Sequence, residues 1–218
     1  MIQWVIELSA KTVGQENVFV ATEDTKIFNT ITEAGYKAIM TSKYCLTGTD
    51  RLAEVAQKIE ADIYINVQGD EPLVKPEDIQ KIIDAKKKHP NEVINGYTII
   101  GKYEDPNSNN IPKVIFTKDK RLIYISRNVL PGFKEKKNEP QIYYKQVCIY
   151  AFNRQELLTF GNYGSKSILE QSEDIEILRF FEWGKSIRVV KTSDGSLAVD
   201  EPKDVEKVEA ALKKASIK

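Results

Sequence analysis

Histidine is nearly missing from this chain: His89 is the only one among 218 residues. It stands in "KKKHPNE", where a helix end runs into a turn, so the sequence offers no obvious histidine base and no histidine metal cluster. Cysteine is almost as scarce. Cys45 and Cys148 lie far apart without zinc-like spacing, which argues against a disulfide scaffold and reads as two ordinary thiols in a reducing cytosol. There is no excess of either charge, with 32 basic and 32 acidic side chains, and this speaks against a nucleic-acid binder working through bulk charge. No apolar run approaches the ~20 residues that span a bilayer, and the first residues lack a basic-then-apolar leader pattern. The expectation is a cytoplasmic protein with neither nucleic acid nor membrane as partner.

What is present is an ordinary globular composition, 41% hydrophobic and 29% charged, in a length suited to one α/β domain. Ile2, Val5, Ile6 and Leu8 fall at helical spacing. An apolar strand follows at Val18–Ala21, then a helix over Ile27–Ala34 and a short strand in "GYKAIMTS". "TGTDRLAEVAQKI" opens on good N-cap chemistry and runs into a helix; Ile63–Val67 is the next strand, and Pro76 opens a helix that ends near His89. Strand–helix alternation of this kind predicts a mainly parallel sheet with helices on both faces. Beyond residue 91 the runs "VINGYTII", "PKVIF", "LIYISRN" and "QVCIYAFN" predict a mixed β extension. A helix over Glu170–Trp183, a strand over Ile187–Val190 and a closing helix over Lys203–Ala215 complete the expectation.

The stretch "YINVQGDEPLV", Tyr64–Val74, pushes a glycine and two adjacent carboxylates out of the end of a core strand. Ligands of open α/β sheets sit outside such carboxyl ends. A glycine there lets a ligand approach the backbone, and a carboxylate there can hold Mg²⁺ against phosphate oxygens. The plainer alternative is a polar turn. "TGTDR", Thr47–Arg51, also follows a strand and offers hydroxyls, a glycine and a helix N-terminus to an anion or a base. Asp200, after the apolar "SLAV", supplies a second carboxylate from another strand, or else is simply a helix-start residue ahead of Pro202.

Taken in order, "TGTDRLAE", "INVQGDEPLV", "LIYISRNVLPG", "ILEQSEDIEILR" and "AVDEPKDVEKV" resemble the CMP-Kdo synthetases, the 3-deoxy-manno-octulosonate cytidylyltransferases, over nearly the whole chain. That resemblance implies a Rossmann-like nucleotidyltransferase fold. It also implies transfer of CMP from CTP to a 2-keto-3-deoxy sugar acid, with pyrophosphate leaving, by positioning and charge neutralisation rather than a covalent nucleophile. By position it makes Asp70 and Asp200 the Mg²⁺ carboxylates and the catalytic pair. Thr47, Gly48, Arg51, Gln68 and Gly69 would surround the cytidine. Arg127 would pair with the sugar carboxylate through its guanidinium fork, with Tyr150 and Glu173 nearby. Lys113 also matches a family lysine, and a surface role at a strand edge is the alternative. Homodimerisation through Tyr143–Phe152 is a further implication.

Some positions depart from the family pattern. The family's first strand and its glycine- and arginine-rich triphosphate loop have no counterpart in this sequence, and Met1 aligns just after them. The expectation for the polypeptide as it stands is therefore weak or absent turnover. Gln146 stands where Kdo enzymes usually show histidine, and Ile177 replaces a glutamine, so another keto-sugar acid is a candidate substrate. The chain reads as a single domain over residues 1–218. Residues 1–90 form a nucleotide half, 91–190 a sugar and dimer half, and 191–218 a metal-site segment with its helix. Two rival functions remain: a nucleotide-sugar-dependent sugar transferase, and a non-catalytic nucleotide-binding or assembly protein.

Overall fold

The computed structural model describes residues 1–195, 197–199 and 201–216. Several of its helices begin where the sequence supplies a cap or a proline. After α1 (Ile2–Val13), α2 (Thr25–Glu33) starts behind Asp24, whose carboxylate accepts from the N–H groups of Lys26 and Ile27 at 2.6 and 3.1 Å. α3 (Gly48–Lys58) starts behind Thr47, and α4 (Pro76–Lys88) opens on proline with Glu77 and Asp78 in its first turn and three lysines in its last. α5 (Arg154–Gly161) carries a capping box between Asn153 and Glu156. The short α6 (Ile168–Glu173) and α7 (Leu178–Glu182) precede α8 (Pro202–Ser216).

The described residues also form eight strands: β1 (Phe19–Thr22), β2 (Lys37–Met40), β3 (Tyr64–Val67), β4 (Val93–Ile99), β5 (Lys113–Phe116), β6 (Leu122–Ser126), β7 (Tyr144–Phe152) and β8 (Ile187–Lys191). β7 lies at the centre of the main sheet. β4 pairs along most of its length, whereas β3 pairs with its last residues (Val67 opposite Ile149) and β5 with its first (Lys113 opposite Lys145). Because β3, β4 and β5 all run antiparallel to β7, and β8 runs parallel to β4, these four strands share one direction; β6 and β7 run against them.

Side-chain alternation along β7 divides the interior. Tyr150 and Phe152 enter one core with Ala53, Ala56, Leu157, Phe160 and Phe180. Val147, Ile149 and Ala151 enter the other with Val74, Ile79 and Ile82. Helices α3, α5 and α7 cover the first face, α4 the second. The α/β class with helices on both faces is as expected, but the structure differs from the sequence reading in three respects. Strands that share a direction are mostly kept apart, because β7 inserts between β3 and β4; parallel ladders occur in β1–β2 and β4–β8. β1 and β2 form their own two-stranded sheet rather than continuing from β3, and α1 and α2 pack on it through Ile6 and Ile31.

The third difference is in the expected Glu170–Trp183 helix, which is broken in two by Asp174 in the left-handed region (φ 51°, ψ 50°). Within Tyr143–Phe152, the stretch expected to serve a dimer, Gln146, Val147, Ile149, Tyr150, Ala151 and Phe152 are buried within the chain, while Tyr143, Tyr144 and Cys148 are half-buried.

Candidate active site

β3 stops opposite Ile149 and β5 starts opposite Lys145, so the ladder on that edge of β7 is interrupted beside Gln146–Cys148. The backbone groups exposed by the break are taken up in turn. Gln146 N–H donates to Pro112 O at 3.0 Å, and Cys148 N–H to the Glu71 carboxylate at 3.2 Å. The two adjacent carboxylates after β3 therefore divide their roles: Glu71 is buried and completes the sheet, while Asp70 lies on the loop above it. The backbone O of Asp70 accepts from Val199 N–H at 2.9 Å. The incoming segment runs there from β8: Thr192 N–H bonds to Tyr97 O, and Ser193 bonds to the Asp78 carboxylate of α4 through both N–H and hydroxyl, at 3.0 and 3.1 Å. Asp200, the second carboxylate expected from the sequence, lies outside the described residues. Gly69 meets α1: a Cβ built on it would stand 3.0 Å from Ile2 Cδ1, so in this structure Ile2 makes the close approach.

The N-terminal turn of α3 faces the same opening. Thr47 Oγ1 accepts from Asp50 N–H at 3.2 Å and lies 2.8 Å from Asp50 Oδ2. Thr49 N–H donates to Glu176 Oε2 at 2.8 Å, and Gln68 Nε2 donates to Glu176 Oε1 at 2.9 Å. A carboxylate of the chain itself thus occupies the helix terminus that the sequence had suggested for an anion. A Cβ on Gly48 would meet Glu176, Gln68 and Asn66 atoms at 3.6–3.8 Å, which places Gly48 over this polar floor. The Asn66 Nδ2 atom is buried there with no hydrogen-bond partner among the described residues. Burial raises the Glu176 carboxyl above the ordinary carboxylate range, against the opposing pull of the Thr49 bonds. Arg51 turns elsewhere: its guanidinium pairs with Glu23 and donates to Thr41 Oγ1 at 2.6 Å, tying α3 to the loops after β1 and β2.

A third group gathers around the break between α6 and α7. Ending α6 at Glu173 releases backbone carbonyls, and Arg127 takes them: its guanidinium donates to Glu173 O, to Asp174 O at 3.1 Å and to Asn109 O at 2.7 Å. The Glu173 carboxylate accepts from Arg127 N–H at 2.8 Å, Ser126 Oγ at 2.7 Å and Tyr124 OH at 3.3 Å. Among the described residues those bonds engage three of the five N–H donors of Arg127. Lys113 is fully buried rather than at the surface; its ammonium donates to Ser108 O at 2.9 Å and to Arg127 O, and burial lowers its pKa. Tyr150 is 2% exposed, its OH accepts from Gln146 Nε2 at 3.3 Å, and burial drives its phenol well above the usual pKa.

The structure thus joins Gln68 to the Thr47–Asp50 turn through Glu176, and Arg127 to Ser126 through Glu173. Glu173 and Glu176 lie on one short segment, so the two groups are neighbours. Sequence reading missed Glu176, Glu71 and Asn66. Glu176 sat inside a stretch read as continuous helix, and no spacing rule distinguishes a carboxylate that turns inward at a helix break.

An arrangement of this kind, a glycine and carboxylate beyond a sheet strand facing a hydroxyl-bearing helix start, is equipped to hold a nucleotide. A family model described as Cytidylyltransferase matches residues 1–187, and the chain belongs to that family. Among curated proteins it is 39% identical to the 3-deoxy-manno-octulosonate cytidylyltransferase of Geotalea uraniireducens, over 98% of this chain and 89% of that protein. It is 34% identical to the 8-amino-3,8-dideoxy-manno-octulosonate cytidylyltransferase of Shewanella oneidensis, over 97% of this chain and 87% of that protein. Among solved structures it resembles a CMP:2-keto-3-deoxy-manno-octonic acid synthetase in complex with CTP. There the TM-score is 0.87 at 33% identity, covering 98% of this chain and 88% of that one.

Proposed function

We propose that this cytidylyltransferase activates a 3-deoxy-manno-octulosonate-type sugar acid, joining it to CMP from CTP with release of pyrophosphate. The observation that carries the proposal is the meeting of two subsites on one segment. Glu176 holds the Gln68 and Thr47–Asp50 side, and Glu173 holds Arg127. Cytidine would lie over Gly48, Gly69 and Gln68. The Arg127 guanidinium would pair with the carboxylate of the sugar acid, and Tyr150 would border the sugar side. The anomeric hydroxyl oxygen would attack the α-phosphorus as the bond to the β-phosphate breaks.

We further propose Mg²⁺ as cofactor, held by Asp70 and Asp200. The donor set fits: Asp70 offers hard carboxylate oxygen beside the segment that leads to residue 200. Among the described residues no three His, Cys, Asp or Glu side chains cluster as a metal cage, which suits a cation that takes most of its shell from phosphate and water. Bound there, it would neutralise triphosphate oxygens. No described helix is long and apolar enough to cross a membrane. A homodimer working in the cytoplasm, in lipopolysaccharide synthesis, completes the proposal and follows from the resemblance.

The test is pyrophosphate release from CTP, Mg²⁺ and 3-deoxy-manno-octulosonate, run beside the 8-amino analogue because both sugars occur in the names of the relatives. Turnover that needs all three components supports the reading. Binding of UDP-sugars without CTP would favour a sugar transferase, and a folded dimer without CTP binding a non-catalytic role.

A further inference from the structure

Arg179 is fully buried, yet its guanidinium uses every donor it has. Nε and Nη2 form a fork on Glu170 at 2.7 Å each, Nη1 and Nη2 a second fork on Asp50 at 2.7 and 3.1 Å, and Nη1 also reaches Phe160 O at 3.3 Å. The plane stacks on the Phe160 ring with its carbon 3.7 Å from the centroid. Such saturation fixes the guanidinium in all directions, and with it the carboxylate of Asp50.

Asp50 is not a passive partner. Its Oδ2 atom bonds to the Thr47 hydroxyl at 2.8 Å, and its N–H donates back to that hydroxyl at 3.2 Å. A chain of contacts therefore runs from Arg179 on α7 through Asp50 to the hydroxyl at the mouth of the nucleotide subsite. Three residues earlier, Glu176 holds Thr49 N–H of the same turn. The first turn of α3 is gripped from both sides by one four-residue stretch of the sugar half. Glu170, the other partner of Arg179, belongs to α6 and has no contact with that turn among its described bonds.

We infer that Arg179 is a positioning residue for the nucleotide: through Asp50 it fixes the Thr47 hydroxyl at the start of α3, where CTP binds. It touches no substrate itself. The inference rests on the cytidylyl reading given above. A lysine cannot replace it, because one ammonium cannot hold two forks in one plane.

The test is titration of the wild-type chain and variants with CTP and Mg²⁺ by calorimetry, with steady-state KM values for CTP and the sugar acid. In Arg179→Lys and in the milder Asp50→Asn, the dissociation constant and KM for CTP rise about tenfold, as loss of a charge-assisted bond allows. The KM for the sugar acid stays within about twofold on the same reasoning, and the double variant is no worse than the poorer single one, since both act through one link. Glu170→Gln leaves the Asp50 fork in place and keeps one oxygen for the guanidinium, so it lowers the melting temperature and weakens CTP far less than Asp50→Asn. Equal CTP affinity in wild type and Asp50→Asn overturns the inference and leaves the cytidylyl reading intact. So does a Glu170→Gln variant that weakens CTP as much as Asp50→Asn, because the network would then act on stability alone. A folded wild type that binds no CTP overturns both.

Discussion

Lys86 on α4 provides a quantitative test of what joins the helix layers on the two faces of the sheet. Its side chain is 1% exposed, its ammonium lies 2.7 Å from Glu156 on α5, itself 3% exposed, and it donates to Glu92 O at 2.7 Å. Burial lowers the Lys86 pKa while Glu156 pulls it back up. Lys86→Met keeps the length and removes the charge, leaving the buried Glu156 with Lys185 at 3.0 Å as its cation among the described residues. Breaking a buried pair from one side typically costs about 3–5 kcal/mol, and the surviving Lys185 holds the cost here near the lower end, about 3 kcal/mol. In a domain of this size that corresponds to a fall in melting temperature of about 6–12 °C.

Lys86→Met/Glu156→Gln removes both charges while keeping an oxygen for Asn153 N–H, which now bonds to Glu156 at 2.8 Å. It should recover about 2 kcal/mol of the loss, because a neutral pair no longer carries an uncompensated charge. Urea unfolding followed by circular dichroism gives both values, provided the slope with denaturant is unchanged. The pair sits at the amino end of β4, away from the candidate site, so CTP affinity should not move. A Lys86→Met cost below about 1 kcal/mol, or a double variant that costs the sum of the singles, would refute this account of the pair.

Three further outcomes are expected. Glu176 has a raised carboxyl pKa, so its contribution to stability is complete below the ordinary carboxyl pKa and is lost as pH rises through the raised value. Glu176→Gln should flatten that part of the curve of urea midpoint against pH, and an unchanged slope would count against the assignment. Ser126→Ala removes a 2.7 Å bond to Glu173 and loosens the seat of Arg127; the KM for the sugar acid should rise about tenfold with the CTP value unmoved. Asn95, fully buried, donates to Val147 O and Ile149 O at 3.0 and 3.2 Å and accepts from Gln146 at 3.1 Å, so Asn95→Ala should cost about 2–4 kcal/mol in the same urea assay.

The helix starts at Thr47 and Pro76 were legible, because caps are local chemistry, whereas α5 behind Asn153 was not expected from the sequence. Gln68–Asp70 was likewise legible as a loop beyond a core strand. Strand pairing was not. Nothing within Tyr64–Val67 announces that its partner is Tyr144–Phe152 running the other way, since alternation fixes which face a residue takes and not which strand lies beside it. The division of α6 from α7 was also invisible, since an aspartate in the left-handed region leaves no mark in helical periodicity. Lys113 and Glu176 are long polar side chains whose burial depends on carbonyls and amides from distant segments, and composition says nothing about those.

The position of β7 has a consequence for how the chain assembles during synthesis. β3, which carries Gln68 and Asp70 at its end, finds its ladder partner about eighty residues downstream, at Ile149–Phe152. Its backbone amides have nothing to pair with in that sheet until the ribosome has passed Phe152, so the nucleotide half cannot mature ahead of the sugar half. Contacts of such long sequence separation are slow to close. A fragment ending near residue 90 should leave the Gln68–Asp70 loop without a platform, and the two halves named from the sequence are one folding unit.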